Sequence, residues 1–200
     1  MVVKICGITN REDAMVCAES GASAIGFNFY AKSPRYISAE DAAEIGRDLP
    51  AGVLKVGVFV NETPDNVLRI RDKADLDVVQ LHGDERPDPA FEGLRVWKAF
   101  PASTKELSKA ISEWPAEAYL IDTPTSTRGG SGKTFDWSLA LDLPGRLILA
   151  GGLDGGNVRA AIREVRPWGV DACSRLESAP GKKDHEKVRQ FIAAAQSELL

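Results

Sequence analysis

The sequence predicts a single (β/α)₈ barrel, in which eight parallel strands close into a cylinder inside a ring of helices. Apolar, β-rich runs alternate with helical patterns along the whole chain, and no proline- or serine-rich linker interrupts them. Several runs are apolar on both alternating faces, which is typical of parallel strands covered by helices. Glycines and polar side chains recur after the runs rather than before them. These observations predict one barrel domain over residues 1–200.

Each apolar run predicts a strand, and capping residues such as Asn10 and the Thr63-Pro64 pair indicate where helices begin. The strands are predicted at Val2–Cys6, Ala24–Phe29, Leu54–Val60, Asp77–Leu81, Arg95–Phe100, Ala118–Ile121, Arg146–Ala150 and Gly169–Cys173. The helices are predicted from Asn10 to Glu19, from Ser38, from Thr63 to about Lys73, around Pro89–Glu92, from Ser103 to Trp114, from Asp136 to Leu141, from about Gly156 to Val165 and from about Lys183 to Leu199.

An open, doubly wound sheet is the alternative fold. The barrel is favoured because the units resemble one another and no Gly-x-Gly-x-x-Gly pattern follows the first strand. The Gly-Lys-Thr at 132–134 does not belong to a nucleotide-binding P-loop, since such a loop needs a glycine where Thr127 stands. We expect the glycine-rich stretch around it to form a loop that folds over a substrate.

The composition argues against several classes of protein. The net charge of −4 and the pI near 5.3 do not fit a general nucleic-acid-binding protein, whose surface would be basic. No run approaches the roughly 18 to 20 apolar residues that span a bilayer, and the N-terminus does not read as a secretory signal. Three cysteines without a CxxC pair fit a reduced, cytoplasmic protein, and two histidines without a ligand cluster argue against a metal site.

Residues just past the C-terminal ends of barrel strands converge on one mouth, where the active site of this fold lies. A thiol and a carboxylate on roughly opposite sides of that mouth could act as base and acid on one small substrate. Lys4 should share a strand face with Cys6, and its ammonium would favour the thiolate. The residues at these positions are Cys6, Asn28, Arg35, His82, Asp122, Gly151, Gly152, Ser174 and Arg175.

Each candidate also has a purely structural interpretation. Cys6 could be a small buried hydrophobe, Asp122 a loop cap and His82 a structural histidine. Arg35, which follows a proline, could be a surface charge or a fixed guanidinium suited to binding a carboxylate. Cys173 lies within the last predicted strand and is expected to serve packing.

The double glycine Gly151-Gly152 and Ser174, after strands seven and eight, are the usual components of a barrel phosphate site. In such a site, backbone N–H groups and a helix N-terminus hold the anion. The alternative is that the glycines form only a tight turn. The pattern therefore predicts an enzyme that acts on a phosphorylated metabolite by proton transfer, without a metal or a nucleotide cofactor.

Nine segments spread over nearly the whole chain carry a resemblance to a known family. They are KICGIT at 4–9, GFNFY at 26–30, SPRYIS at 33–38, VGVFVN at 56–61, VQLHGDE at 79–85, LIDT at 120–123, GGSGKTFDW at 129–137, LAGGL at 149–153, and GVD at 169–171 with PGKKD at 180–184. In this order they resemble the phosphoribosylanthranilate isomerases of tryptophan biosynthesis. Nine ordered matches are far more specific than any one of them.

The resemblance implies an Amadori rearrangement of N-(5-phosphoribosyl)anthranilate. It implies that Cys6 is the general base that takes the proton from C2 of the ribose, and that Asp122 is the general acid that protonates the ring oxygen. It further implies that Arg35 holds the anthranilate carboxylate and that Gly151, Gly152 and Ser174 hold the phosphate. His82 is expected to line the site.

One segment departs from the family. The family usually reads Val-Asp-Val-Ser-Ser-Gly-Val-Glu where this chain has VDACSRLE at 170–177, so Arg175 stands in place of a glycine. Arg175 would strain the turn if the glycine were needed for a positive φ, and would otherwise add a phosphate contact. We expect the phosphate contact.

Two other functions stay open at this point. Another phosphosugar isomerase, or a related barrel of histidine or tryptophan synthesis, is the alternative enzyme. A barrel that binds a phosphorylated ligand without turnover is the alternative from a different class. The chain is expected to be a monomer or a homodimer with a small phosphorylated substrate and with no nucleic-acid or membrane partner.

Overall fold

The eight strands close into one parallel barrel, which confirms the predicted fold class. The computed structural model describes residues 1–124 and 134–198. Each strand pairs in parallel with the next along the chain, and the eighth pairs with the first. The strands are β1 (Val2–Cys6), β2 (Ala24–Asn28), β3 (Leu54–Phe59), β4 (Val78–Leu81), β5 (Val96–Pro101), β6 (Ala118–Asp122), β7 (Leu147–Leu149) and β8 (Gly169–Ala172).

Helices connect the strands and cover the outside of the barrel. They are α1 (Arg11–Glu19), α2 (Ala39–Arg47), α3 (Pro64–Lys73), α4 (Leu107–Ser112), α5 (Val158–Val165) and α6 (His185–Gln196). The two short predicted helices are 3₁₀ turns, at Pro89–Phe91 and Trp137–Ala140. A third 3₁₀ turn at Ser174–Leu176 and an antiparallel hairpin, β9 (Glu177–Ala179) with β10 (Lys182–Lys183), follow β8 and were not predicted.

Capping side chains account for the starts of α1 and α2, which lie where the sequence predicts. The side chain of Asn10 accepts a hydrogen bond from the N–H of Asp13 at 2.9 Å, and Ser38 accepts one from the N–H of Asp41 at 3.0 Å. These bonds satisfy N–H groups that the first turn of a helix leaves without partners.

The predicted start of the fourth helix at Ser103 is wrong. A turn closed by a hydrogen bond from the N–H of Thr104 to the carbonyl of Pro101 takes up this segment, because β5 continues to Pro101. Glu106 then adopts a left-handed conformation with φ of 51°, and α4 begins at Leu107. The chain therefore leaves β5 through a turn before it can form a helix.

Two clusters of apolar side chains stabilise the barrel. One fills its interior and includes Val56, Trp97, Leu120 and Ile148. The larger cluster packs the helices against the outside of the sheet. Lys4 is fully buried among the interior side chains, at the end of the barrel where β1 approaches the cavity described below. Among the described residues, no helix is both long enough and apolar enough to cross a membrane.

Candidate active site

A cavity of about 440 Å³ opens at the C-terminal ends of the strands. Its wall includes five of the predicted site residues: Cys6, Asn28, Arg35, His82 and Asp122. Three of these are the last residues of β1, β2 and β6, so the parallel closed sheet brings them to the same end of the barrel. Pairing runs from β6 through β7 and β8 to β1, which places Asp122 three strand positions from Cys6 around the barrel.

The Cys6 side of the cavity contains a buried charged cluster. Lys4 Nζ donates a hydrogen bond to Asp171 Oδ1 at 2.9 Å, and Lys4 is directly opposite Asp171 in the register of β1 and β8. Cys6 follows Lys4 by two residues and points the same way, as alternation along a strand requires. One ammonium therefore serves two acidic groups, the Asp171 carboxyl and the Cys6 thiol.

The pKa values of these groups reflect that arrangement. A hydrogen bond with the Cys173 thiol and the positive charge of Lys4 hold the pKa of Cys6 well below its usual value, although burial acts against this. Burial raises the pKa of Asp171 to about 6 despite the attraction of Lys4. Burial alone would lower the pKa of Lys4, but the charges of Asp171 and Cys6 outweigh it and raise that pKa. Cys6 is therefore poised as a thiolate next to a permanent cation.

Arg35 lies in the loop between β2 and α2, and a bidentate ion pair fixes its guanidinium. Nε and one terminal nitrogen of Arg35 each donate to a carboxylate oxygen of Glu177 at 2.7 Å. Lys183 also binds Glu177, at 3.2 Å. Ser33 accepts hydrogen bonds from the Asn28 side chain and from the Arg35 N–H, which ties the loop to the end of β2. The guanidinium is therefore held in one orientation at the cavity wall.

The Asp122 side of the cavity contains a histidine ring and a backbone N–H. Asp122 Oδ1 accepts a hydrogen bond from the N–H of Thr123 at 2.7 Å, and Oδ2 lies 3.3 Å from Nε2 of His82. Gln80 Nε2 lies 3.0 Å from the other ring nitrogen of His82. With the Gln80 amide donating to Nδ1, the ring carries its proton on Nε2, the nitrogen that faces Asp122.

The remaining predicted residues lie in the loops after β7 and β8, and they do not line this cavity. Gly151 and Gly152 have φ values of +83° and +63°, a conformation that side chains rarely adopt. A Cβ on Gly151 would stand 2.8 Å from Asp122 Oδ1 and 2.6 Å from the N–H of Thr123. The double glycine thus allows the loop after β7 to pass close to the predicted acid.

Arg175 is not strained by its position. Together with Ser174 it belongs to the 3₁₀ turn after β8, and it is not among the residues with positive φ. Its Nε donates to Asp154 at 2.8 Å, and a terminal nitrogen of the guanidinium also contacts Asp154. The possible strain at this substitution is therefore excluded, and the loops after β7 and β8 are joined by an ion pair.

Several site residues were missed from the sequence. Cys173 was expected to serve packing, but it lies one residue beyond β8 and lines the cavity. Cys173 stands in VDACSRLE at a position where the family usually has serine, and this difference was the sequence signal that could have marked it as a site residue. Asp171 and Glu177 act through Lys4 and Arg35, partners distant in sequence, whereas Gln80 acts through His82 two residues away. The predicted glycine-rich loop and Lys133 lie mainly or wholly outside the described residues.

The fold and the site together define a (β/α)₈-barrel enzyme with a cation-supported thiol and a carboxylate in one cavity. A family model described as N-(5'phosphoribosyl)anthranilate (PRA) isomerase matches residues 3–194. The chain belongs to this family.

Individual relatives agree with that assignment. The chain is 50% identical over 200 residues to an N-(5'-phosphoribosyl)anthranilate isomerase from Solibacter usitatus, covering all of this chain and 99% of the relative. It resembles the crystal structure of the Thermotoga maritima enzyme with a TM-score of 0.89 and 50% identity, over 98% of this chain and all of that one. A structure of the isomerase in complex with reduced 1-(o-carboxyphenylamino)-1-deoxyribulose 5-phosphate is 46% identical, with a TM-score of 0.86 over 98% of this chain and all of that one.

Proposed function

We propose that Cys6 and Asp122 carry out the isomerisation of N-(5'-phosphoribosyl)anthranilate as general base and general acid. The chain is an isomerase of tryptophan biosynthesis, as its family membership and its near relatives indicate. The observation that carries the residue roles is the single cavity in which a thiol next to a buried ammonium faces the same space as a carboxylate. The runner-up enzymes, other phosphosugar isomerases, are not supported by any feature of this site.

The proposed reaction is an Amadori rearrangement in two proton transfers. Asp122 donates a proton to the ring oxygen of the ribose, and the ring opens to an iminium ion. Cys6 then removes the proton from C2, and the resulting enolamine gives the aminodeoxyribulose product. A carboxyl must be protonated to act first and a thiol must be ionised to act second, so the two groups need different environments.

Neighbouring residues favour the thiolate of Cys6 and orient the carboxyl group of Asp122. Lys4 and the Cys173 thiol hold Cys6 in its ionised form, as the lowered pKa of Cys6 indicates. The N–H of Thr123 donates to one oxygen of Asp122, and Nε2 of His82 lies 3.3 Å from the other. We assign His82 as a positioning residue that acts through Asp122.

The substrate would be held at its two ends. Arg35 uses Nε and one terminal nitrogen on Glu177, and a guanidinium has five donors, so its other terminal nitrogen can bind the anthranilate carboxylate. Gly151, Gly152 and Ser174 would hold the phosphate through backbone N–H groups. Arg175, on the same side, would add a charge-assisted contact.

The whole chain is proposed to act as one catalytic domain, in the cytoplasm, as a monomer or a homodimer. For the last point, monomers generated from a dimeric isomerase of Thermotoga maritima are a precedent for both states. Analytical ultracentrifugation would decide between them.

The variants Cys6→Ala and Asp122→Ala test the assignment. Each should fold normally and lose turnover by about 10²-fold to 10⁴-fold, the usual contribution of one proton-transfer group. The loss of substrate fluorescence measures turnover. Cys17→Ala is the matched control, because Cys17 is a buried thiol on α1 away from the cavity. Full activity in either active-site variant would rule out its role, and binding without decay in the wild type would favour a non-catalytic protein.

A further inference from the structure

We propose that Cys6 and Cys173 form a dithiol site that a low-molecular-weight disulfide oxidises to an intramolecular disulfide. The disulfide itself needs no assumption about catalysis, whereas the accompanying loss of turnover rests on the proposed role of Cys6 as the base. Both thiols lie in the wall of the cavity at the end of the barrel, where a small reagent has access.

The geometry of β1 and β8 brings the two thiols together. The two strands pair in register, with Lys4 opposite Asp171 and Ile5 opposite Ala172, so Cys6 and Cys173 stand one step beyond the last pair. Neighbouring strands of a sheet lie about 4.8 Å apart. This spacing is within the range of Cα–Cα distances across a disulfide, about 4.4 to 6.8 Å.

The two thiols also point into the same space. Cys6 is the last residue of β1 and Cys173 lies one residue beyond β8, and both line the wall of the same cavity. Each thiol has the largest influence on the pKa of the other, lowering that of Cys6 and raising that of Cys173. The thiol of Cys173 lies against Gly7, where an added Cβ would stand 2.9 Å from its sulfur. A side chain at position 7 would therefore disturb this pair.

The chemistry of the two residues is complementary. Cys6 has Lys4 nearby and a lowered pKa, which suits it to attack, whereas the hydrogen bond with Cys6 and burial raise the pKa of Cys173. Lys183 Nζ lies 3.9 Å from the Cys173 sulfur and would stabilise its thiolate when the proton leaves. Cys6 is therefore the attacking thiol and Cys173 the resolving thiol.

The reaction balances with the disulfide reagent as the oxidant. The Cys6 thiolate attacks one sulfur of the reagent, breaks its S–S bond and releases the first thiolate. The Cys173 thiol loses its proton to that thiolate or to water, attacks the sulfur of Cys6 and displaces the second thiolate. The two protein thiols lose two hydrogens and two electrons, and the reagent becomes two thiols. Because a low-pKa thiolate leaves readily, the protein disulfide should be easily reduced.

The test uses the whole protein and hydroxyethyl disulfide, followed by intact mass spectrometry and the fluorescence assay. Wild type should lose the mass of two hydrogens and about tenfold or more of its turnover, since an oxidised Cys6 cannot act as a base. Dithiothreitol should restore both. Cys17→Ala should behave like wild type, because Cys17 is buried outside the cavity.

Cys173→Ser separates this site from other thiol chemistry. Its mass should instead rise by one hydroxyethylthio group on Cys6, because no resolving thiol remains. The proposal is overturned if wild type carries only such a mixed disulfide or does not react, or if Cys173→Ser still loses two hydrogens. If the internal disulfide forms and turnover persists, the dithiol site stands and the role of Cys6 as the base is overturned.

Discussion

The Cys6 side and the Asp122 side of the cavity lie at the same end of the barrel but give their side chains different surroundings. At the ends of β1 and β8, a buried ammonium and a second thiol surround Cys6. At the ends of β4 and β6, Asp122 meets a histidine ring and a backbone N–H. A base must stay ionised, so the ammonium of Lys4 beside Cys6 suits the proposed base, whereas the neighbours of Asp122 orient the carboxyl group of the proposed acid. One fold can therefore give two groups in the same cavity different surroundings.

The largest effect is expected from removing the cation on the Cys6 side. Lys4→Met should raise the pKa of Cys6, so the acidic limb of the kcat/KM profile should move to higher pH by about one unit or more. Turnover at neutral pH should fall and recover on the alkaline side. The measurement is a pH profile together with the rate of Cys6 alkylation by iodoacetamide.

Lys109→Met is the control, since Lys109 is an exposed lysine on α4. Its profile should match that of wild type. An unchanged acidic limb in Lys4→Met, with circular dichroism showing a folded protein, would show that Lys4 does not support the thiolate.

A smaller effect is expected on the other side of the cavity. His82→Ala removes the ring nitrogen that lies 3.3 Å from Asp122 Oδ2, so kcat should fall about tenfold while KM changes little. His82→Gln places an amide donor near the position of Nε2 and should restore most of kcat. Equal loss in both variants, or a change confined to KM, would contradict a positioning role.

The smallest effect is expected in the loop after β8. Arg175→Gly, which restores the residue usual in the family, should raise KM and weaken inhibition by inorganic phosphate about fivefold, because the lost contact is charge-assisted but partly exposed. Arg175→Gln keeps a side chain without charge and separates the effect of charge from that of backbone freedom. A lower KM in both variants would mean that Arg175 hinders phosphate binding, and an unchanged KM would mean that it takes no part.

The sequence predicts the barrel and the main site residues because both depend on local pattern. Each strand is a short apolar run, and Cys6 and Asp122 end their strands, so a closed parallel sheet is enough to bring them to one mouth. The start of α4 was wrong because a turn and a left-handed Glu106 override a good capping residue. Lys4 with Asp171 and Arg35 with Glu177 could not be paired beforehand, since 167 and 142 residues separate the partners and only the closed fold joins them.

The ion pair between Arg35 and Glu177 has a consequence for selectivity among ligands. An arginine side chain carries about 2 kcal/mol of rotamer entropy, which a flexible arginine would lose when it captures a ligand. Here most of that rotamer freedom is lost when the chain folds, because Glu177 of the hairpin strand β9 accepts two hydrogen bonds from the guanidinium of Arg35. A planar carboxylate that lies in the plane of the remaining guanidinium donors can bind without a change in the arginine rotamer. A misaligned anion binds less well, because the fixed side chain cannot rotate toward it. With Arg35 as the proposed carboxylate-binding residue, the small hairpin after β8 would set the orientation in which an aromatic acid binds.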